Sequence, residues 1–81
     1  MVRVSGVADE EGLLRKVGSA IRALRKSVNI SQESLADAAG IDRSHMGKIE
    51  RVERNVTLLN LVKISRALGA KPSSILSDAG L

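Results

Sequence analysis

The stretch Ser31–Arg51, SQESLADAAGIDRSHMGKIER, contains the pattern from which the fold of this chain can be predicted. It contains two short apolar stripes that are separated by Gly40. Ser31 and Asp42 are residues that favour helix N-caps, and glycine is the residue that most easily adopts the positive φ found at helix ends. The pattern therefore predicts two short helices, the second running from Arg43 to Arg51, joined by a tight turn.

The apolar residues of this stretch predict how the two helices pack together. Helices that cross at a steep angle bring their backbones close, so the first helix needs a small residue where it faces the second. Ala36 meets this need, and Ile41, Met46 and Ile49 are predicted to fill the space between the helices. These residue types at these spacings are typical of a helix-turn-helix unit.

Helical periodicity continues towards the N-terminus of the chain. Apolar residues recur at steps of three and four, which indicates one buried helix face. Asn29 follows this face and tolerates the left-handed conformation that ends a helix. Residues 1–10 show no period, so we expect a flexible N-terminal arm before a single domain over residues 11–81. The face consists of Leu13, Leu14, Val17, Ile21, Leu24 and Val28.

Two more helices are predicted after a loop over residues 52–56. Thr57 is a suitable N-cap for a fourth helix, and Pro72 is well placed in the first turn of a fifth. No stretch shows the alternation of a strand. The fold class is therefore all-α, a compact five-helix bundle. The predicted core face of the fourth helix is Leu58, Leu61, Ile64 and Leu68, and the fifth helix packs through Ile75 and Leu76.

The composition and charge of the chain favour some classes of function over others. The 81 residues include 13 Lys and Arg against nine Asp and Glu, a net charge of +4. Such a small basic chain is a reasonable double-stranded DNA binder. The chain has no Phe, Tyr or Trp, whereas proteins that bind single strands or RNA loops usually stack bases on aromatic rings.

The composition also argues against a metal-binding protein, an enzyme and a membrane protein. With no Cys and a single His, His45, neither a thiolate nor a histidine-rich metal site is expected. No base accompanies a nucleophile, so we predict no enzyme and no cofactor. No apolar run reaches the roughly 20 residues of a membrane span, and the N-terminus has no apolar signal core. We therefore expect a cytoplasmic protein without membrane contact.

The strings IRALRKSVNISQESLADAAGIDRSHMGKIER and NVTLLNLVKISRALGAKPSSIL resemble the lambda-repressor-like, Xre-type helix-turn-helix regulators. The resemblance extends over nearly the whole chain, from about residue 17 to residue 76. Within this family the chain is most similar to the short controller proteins of restriction–modification systems. The resemblance implies a transcriptional regulator that binds double-stranded DNA as a homodimer on a two-fold related operator, with RNA polymerase as a further partner.

The resemblance also implies a recognition helix, over Arg43 to Arg51, that enters the major groove. Arg43 lies at its leading end, and the planar guanidinium suits the O6 and N7 acceptors of guanine. The expected base-contacting residues are Arg43, Ser44, Gly47 and Lys48. The expected contacts to the DNA backbone are Gln32, Arg51, Arg54 and Asn55.

Two of these predictions leave alternatives open. Gly47 permits either a close approach of the helix backbone to DNA or only a small residue at that position. His45 on the same helix reads a base, rims the groove or packs on the helix. Val52 stands where many relatives have glycine, and valine resists positive φ. The path of the following loop, and with it the contacts of Arg54 and Asn55, is therefore in doubt.

Two further sets complete the predicted sites. The family pairs an arginine late in the first helix with a glutamate that ends the recognition helix, which implies a structural ion pair between Arg25 and Glu50. Apolar residues beyond those that one helix face can bury often mark an interface on a small domain. In this chain such residues predict a dimer surface. Alternatively, Leu59 or Val62 covers the first helix within one subunit. The surface comprises Leu59, Val62, Ile75 and Leu76, with Leu81 as an additional candidate.

Other functions also fit this pattern. A prophage-type repressor or the antitoxin of a toxin–antitoxin pair would use the same DNA-binding unit. A protein-interaction module that kept the fold without binding DNA belongs to a different class, and the basic outward face of the recognition helix argues against it.

Overall fold

The computed structural model describes residues 11–51 and 55–81. Its five helices confirm the all-α fold, and no strand occurs in these two ranges. The predicted N-terminal arm lies outside the described residues. The helices are α1 (Leu13–Ser27), α2 (Gln32–Ala39), α3 (Arg43–Glu50), α4 (Leu58–Ala67) and α5 (Pro72–Asp78).

The helix ends follow the local chemistry of the sequence. The Ser31 hydroxyl accepts a hydrogen bond from the Ser34 backbone N–H at 3.0 Å, which caps α2. The Asp42 carboxylate caps α3 in the same way, and the Thr57 hydroxyl caps α4. Asn29 has φ 60° and Gly40 has φ 68°, so both helix-ending predictions are confirmed. These caps satisfy N–H groups that have no partner within the helix.

The core lies where the five helices meet. α2 packs against α3 and α4, while α1 packs against α3 and α5. Short helices are marginal in isolation, so this mutual packing stabilises them. Ala36 is buried and its carbonyl accepts a hydrogen bond from the Ile41 N–H, which closes the α2–α3 turn. The side chains that are fully buried include Ile21, Leu35, Met46, Ile64 and Ile75.

Two predictions about core faces are wrong at the helix ends. Leu58 is 74% exposed, because it lies in the first turn of α4 and burial begins one turn later at Leu61. Leu13 and Val28 are also exposed. Val28 follows the last residue of α1, so the helical period no longer directs it inward. Within the described ranges, no helix has the length and apolar character that a bilayer crossing requires.

Candidate nucleic-acid interface

α3 has one face in the core and one face open to solvent. Met46 and Ile49 are buried and hold the helix against α1 and α2. Arg43 and Ser44 are exposed at its N-terminal end, and Lys48 is half-buried one turn further along. The structure therefore keeps three predicted base-contacting side chains at the surface.

Arg43 is the most prominent cation of this open face. Its side chain is 68% exposed, and its Nη1 lies 3.0 Å from Oε2 of Glu33, whose side chain is 64% exposed. Glu33 belongs to the first turn of α2 and Arg43 is the first residue of α3. The sequence analysis did not identify Glu33, because its distance from Arg43 depends on how α2 and α3 cross.

Gly47 differs from the prediction. It is buried, and a Cβ added there would lie 2.8 Å from Nη1 of Arg51 and 3.1 Å from Oε1 of Gln32. Two side chains of the chain itself therefore lie over this glycine. The prediction that Gly47 lies on the outward face is therefore wrong, and its small size accommodates these two side chains.

A polar cluster lies at the opposite end of α3. Arg25 donates from Nε to Oε2 of Glu50 at 2.9 Å and from Nη2 to Oε1 at 3.1 Å. Its Nη1 donates to the Ile30 carbonyl at 3.0 Å. The exposed fractions of the two paired side chains are 11% and 3%. The residues paired by the sequence analysis thus form a buried bidentate ion pair joining α1 to α3.

Gln32 extends this cluster towards solvent. It is the first residue of α2, and its Nε2 donates to Oε1 of Glu50 at 3.2 Å. In the described part of the chain, no buried side-chain nitrogen or oxygen lacks a hydrogen-bond partner. Glu50 therefore positions a residue of α2 as well as one of α1, although the sequence analysis paired it with Arg25 alone.

Two of the predicted backbone-contacting residues, Gln32 and Arg51, line a polar recess of 260 Å³ next to the α2 N-terminus. Arg51 is exposed at the end of α3, and Asn55 is exposed after it. Arg54 and Val52 lie outside the described residues. The recess also includes a basic residue that the sequence analysis did not select, Arg22. Its lining is Arg22, Arg25, Gln32, Glu50 and Arg51.

The role of Gly18 was also not found in the sequence. A Cβ at Gly18 would lie 2.9 Å from the Ile49 carbonyl oxygen and 3.3 Å from that of Glu50. Glycine is therefore what allows α1 to approach the end of α3 so closely. The available signal was a glycine within the buried stripe of a long helix.

His45 connects α3 to α4. Its Nε2 lies 3.3 Å from Nδ2 of Asn60, and the ring is half-buried. This contact supports the orientation of α3 against the first turns of α4. No group of His, Asp or Glu within the described ranges could hold a metal ion.

Comparisons with known proteins agree with this geometry. A family model described as helix-turn-helix matches residues 21–75. The chain belongs to this helix-turn-helix family. It is 41% identical over 61 residues to the control protein C.SmaI of Serratia marcescens, covering 75% of this chain and 73% of that protein. It is 45% identical over 60 residues to the control protein C.BamHI of Bacillus amyloliquefaciens, covering 73% and 74%.

A solved structure gives the same result for this helix-turn-helix protein. The restriction-modification controller protein C.AhdI of Aeromonas hydrophila superposes with a TM-score of 0.75 at 44% identity. The match covers 76% of this chain and 94% of C.AhdI. The resemblance of the sequence to restriction–modification controllers is therefore confirmed.

The predicted dimer surface of this helix-turn-helix protein needs one correction. Ile75 is fully buried in the monomer core, so it is unavailable to a partner. Leu59 is 63% exposed on α4, whereas Val62 and Leu76 are half-buried. Leu58, which was assigned to the core, lies beside Leu59 and is more exposed still. Among the described residues, the two most exposed large apolar side chains are therefore adjacent in the first turn of α4.

Proposed function

We propose that this protein is a sequence-specific transcriptional regulator that binds double-stranded DNA as a homodimer. The observation that carries the proposal is the open N-terminal end of α3. There Arg43 is exposed while the opposite helix face is fixed in the core. An anchored helix with a projecting guanidinium is suited to reading the major groove, where guanine presents two acceptors.

Base readout would depend on few side chains. Arg43 would donate to O6 and N7 of guanine, and Ser44 and Lys48 would contact neighbouring base edges or phosphates. Gly47 has no place in this set, because Gln32 and Arg51 cover it. Specificity would also draw on the deformability of the operator.

Affinity would come from phosphate contacts around the polar recess. Gln32 lies at the N-terminus of α2, where backbone N–H groups favour an anion, and its amide orientation is held by Glu50. Arg51 and Arg22 line the same recess, and Asn55, which is exposed, would add a further contact to the DNA backbone. Binding through such contacts releases counterions, so the affinity should fall steeply as the salt concentration rises.

The homodimer would form through the first turn of α4. Leu58 and Leu59 are adjacent and mostly exposed there, and a second copy of the chain would remove both from water. Two copies related by a two-fold axis would place their recognition helices about 34 Å apart, one turn of DNA. Val62, Leu76 and Leu81 would lie at the margin of this contact.

Sedimentation equilibrium tests this arrangement with Leu59→Ser, and Val28→Ser is the matched control. Val28 is also an exposed apolar residue but belongs to the end of α1. We expect Leu59→Ser to weaken self-association by about tenfold, which corresponds to the loss of one buried leucine contact. Equal self-association of the two variants would place the interface elsewhere.

We further propose a role as the controller of a restriction–modification system. This rests on the named function of the relatives and on the large share of each relative that the chain spans. Such a regulator would act in the cytoplasm without catalysis, activating where it contacts RNA polymerase and repressing where it blocks it. Adjacent methyltransferase and endonuclease genes would support this role, whereas a toxin or phage gene would favour the antitoxin or repressor alternative.

The deciding experiment is selection of bound duplexes from a random pool, followed by mobility shift with the recovered sequence. Arg43→Ala should reduce the preference for that duplex, and Lys16→Ala is a control that removes the same charge. Lys16 lies almost opposite Gly18 around α1, since two residues correspond to about 200° of rotation, and so it points away from α3. Failure to recover any preferred duplex would refute the proposed function.

A further inference from the structure

We propose that Glu33 is a positioning residue that directs Arg43 and thereby sets the base preference of the protein. This inference rests on the proposed function, because it concerns how the same helix reads DNA. Glu33 itself would not contact a base. It would act through its ion pair with the arginine.

The ion pair between Glu33 and Arg43 connects the N-terminal ends of α2 and α3. Glu33 in the first turn of α2 and Arg43 at the first residue of α3 meet at 3.0 Å, although ten positions separate them in sequence. A carboxylate is favoured near the N-terminus of α2, where the helix dipole is positive. The anion is therefore on a capped helix, and it holds the guanidinium at the edge of the open face.

The ion pair leaves Arg43 able to bind a base. The contact with Glu33 uses Nη1 of the guanidinium, and an arginine has further N–H donors for the acceptors of guanine. A long arginine side chain loses rotamer freedom when it binds. Because Glu33 already restricts that freedom in the unbound protein, less ordering remains to be done on DNA.

The charge of Glu33 has a second effect. A carboxylate on a DNA-facing surface is repelled by phosphates, so it weakens binding to every duplex regardless of sequence. On the preferred duplex, the positioning of Arg43 compensates for this repulsion. On an unrelated duplex, nothing compensates for it. Glu33 should therefore increase the ratio of specific to non-specific affinity.

Glu33→Gln tests the inference, with Asp37→Asn as the matched control. Both changes remove one negative charge from exposed positions of α2, but it is Glu33 that forms the ion pair with Arg43. The probes are the duplex recovered by selection, its single-base-pair variants and an unrelated duplex. Binding is measured by mobility shift at several salt concentrations.

We expect Glu33→Gln to bind the unrelated duplex more tightly and to lose about twofold of the specificity ratio, because the ordering that an exposed ion pair provides is small. The loss should fall on the base pair whose preference Arg43→Ala also relaxes. In the Arg43→Ala background, Glu33→Gln should still strengthen non-specific binding but should no longer change that base preference. A merely structural role would not produce this dependence.

Other results would overturn the inference. An unchanged base preference in Glu33→Gln, while the wild-type preference is intact, refutes it and leaves the proposed function standing. An equal loss of specificity in Asp37→Asn would show that charge alone is responsible. If the wild-type protein prefers no duplex at all, it is the proposed function that fails.

Discussion

The two ends of α3 carry the same chemical interaction in opposite surroundings. At the C-terminal end, Arg25 and Glu50 pair at 2.9 Å with both side chains nearly removed from solvent. At the N-terminal end, Arg43 and Glu33 pair at 3.0 Å with both side chains mostly exposed. The two distances are nearly the same, although the buried pair is bidentate.

Burial distinguishes them. A charge left behind in the interior has no water to solvate it, so breaking a buried pair is costly. An exposed pair is screened by water and salt, and its partners are solvated when they separate. The comparison indicates that the buried pair stabilises the fold, whereas the exposed pair is available to adjust binding. Four substitutions test this division, beginning with the largest expected effect.

Glu50→Gln should reduce the free energy of unfolding by about 3–5 kcal/mol, because it leaves Arg25 buried without its anion. Thermal and urea unfolding measure the change. Replacing both partners, with Arg25→Met and Glu50→Leu, should recover much of the loss, since no charge then remains inside. If Glu50→Gln unfolds like the wild-type protein, this ion pair does not contribute measurably to stability.

Gly18→Ala belongs to the same buried end and should cost about 1–3 kcal/mol of stability. The new methyl group would meet the Ile49 carbonyl at 2.9 Å, and overpacking of this kind strains the backbone. Higher helix propensity offsets part of the cost. Ser19→Ala, at an exposed neighbour in α1, should change stability by less than about 0.5 kcal/mol. Equal unfolding curves for both variants would mean that α1 has room to move away.

Arg43→Ala belongs to the exposed end and should leave unfolding unchanged within about 0.5 kcal/mol. Its effect should appear on DNA, as a loss of about 1–3 kcal/mol in discrimination at one base pair. Competition binding with duplexes that differ at single positions measures this loss. A large shift in melting temperature instead would make the exposed pair a structural one and undo the comparison.

Glu33→Gln should have the smallest effect on folding, below about 0.5 kcal/mol, because an exposed ion pair contributes little. It changes the same residue types as Glu50→Gln, so the two variants form a matched set. Unfolding of both variants under identical salt conditions measures directly how much more the buried pair contributes to stability than the exposed pair. Similar losses of stability in the two would show that burial does not separate the pairs.

Much of the fold could be predicted from the sequence because helix starts and ends are local. Ser31, Asp42 and Thr57 cap their helices through N–H groups only three residues away. Asn29 and Gly40 end helices through their own backbone conformations. These interactions need no knowledge of distant residues, and the residues that make them can be read from the chain.

The errors and omissions share a different cause. Ile75 was assigned both to the packing of the fifth helix and to a dimer surface, and its burial confirms only the first. Leu58 was assigned to the core but is exposed. Periodicity tells which residues share a helix face but not how far along that face a neighbouring helix extends. The outcome depends on where α4 and α5 meet the rest of the bundle.

The five helices, their caps and the basic helix-turn-helix could be predicted from the amino-acid sequence, because each follows from residues within about one turn of each other. That Gly47 lies beneath Gln32 and Arg51 and that Glu33 contacts Arg43 became visible only in the folded protein. Contacts between helices depend on crossing angle and spacing. These are set by the packing of the whole core rather than by any local stretch of chain.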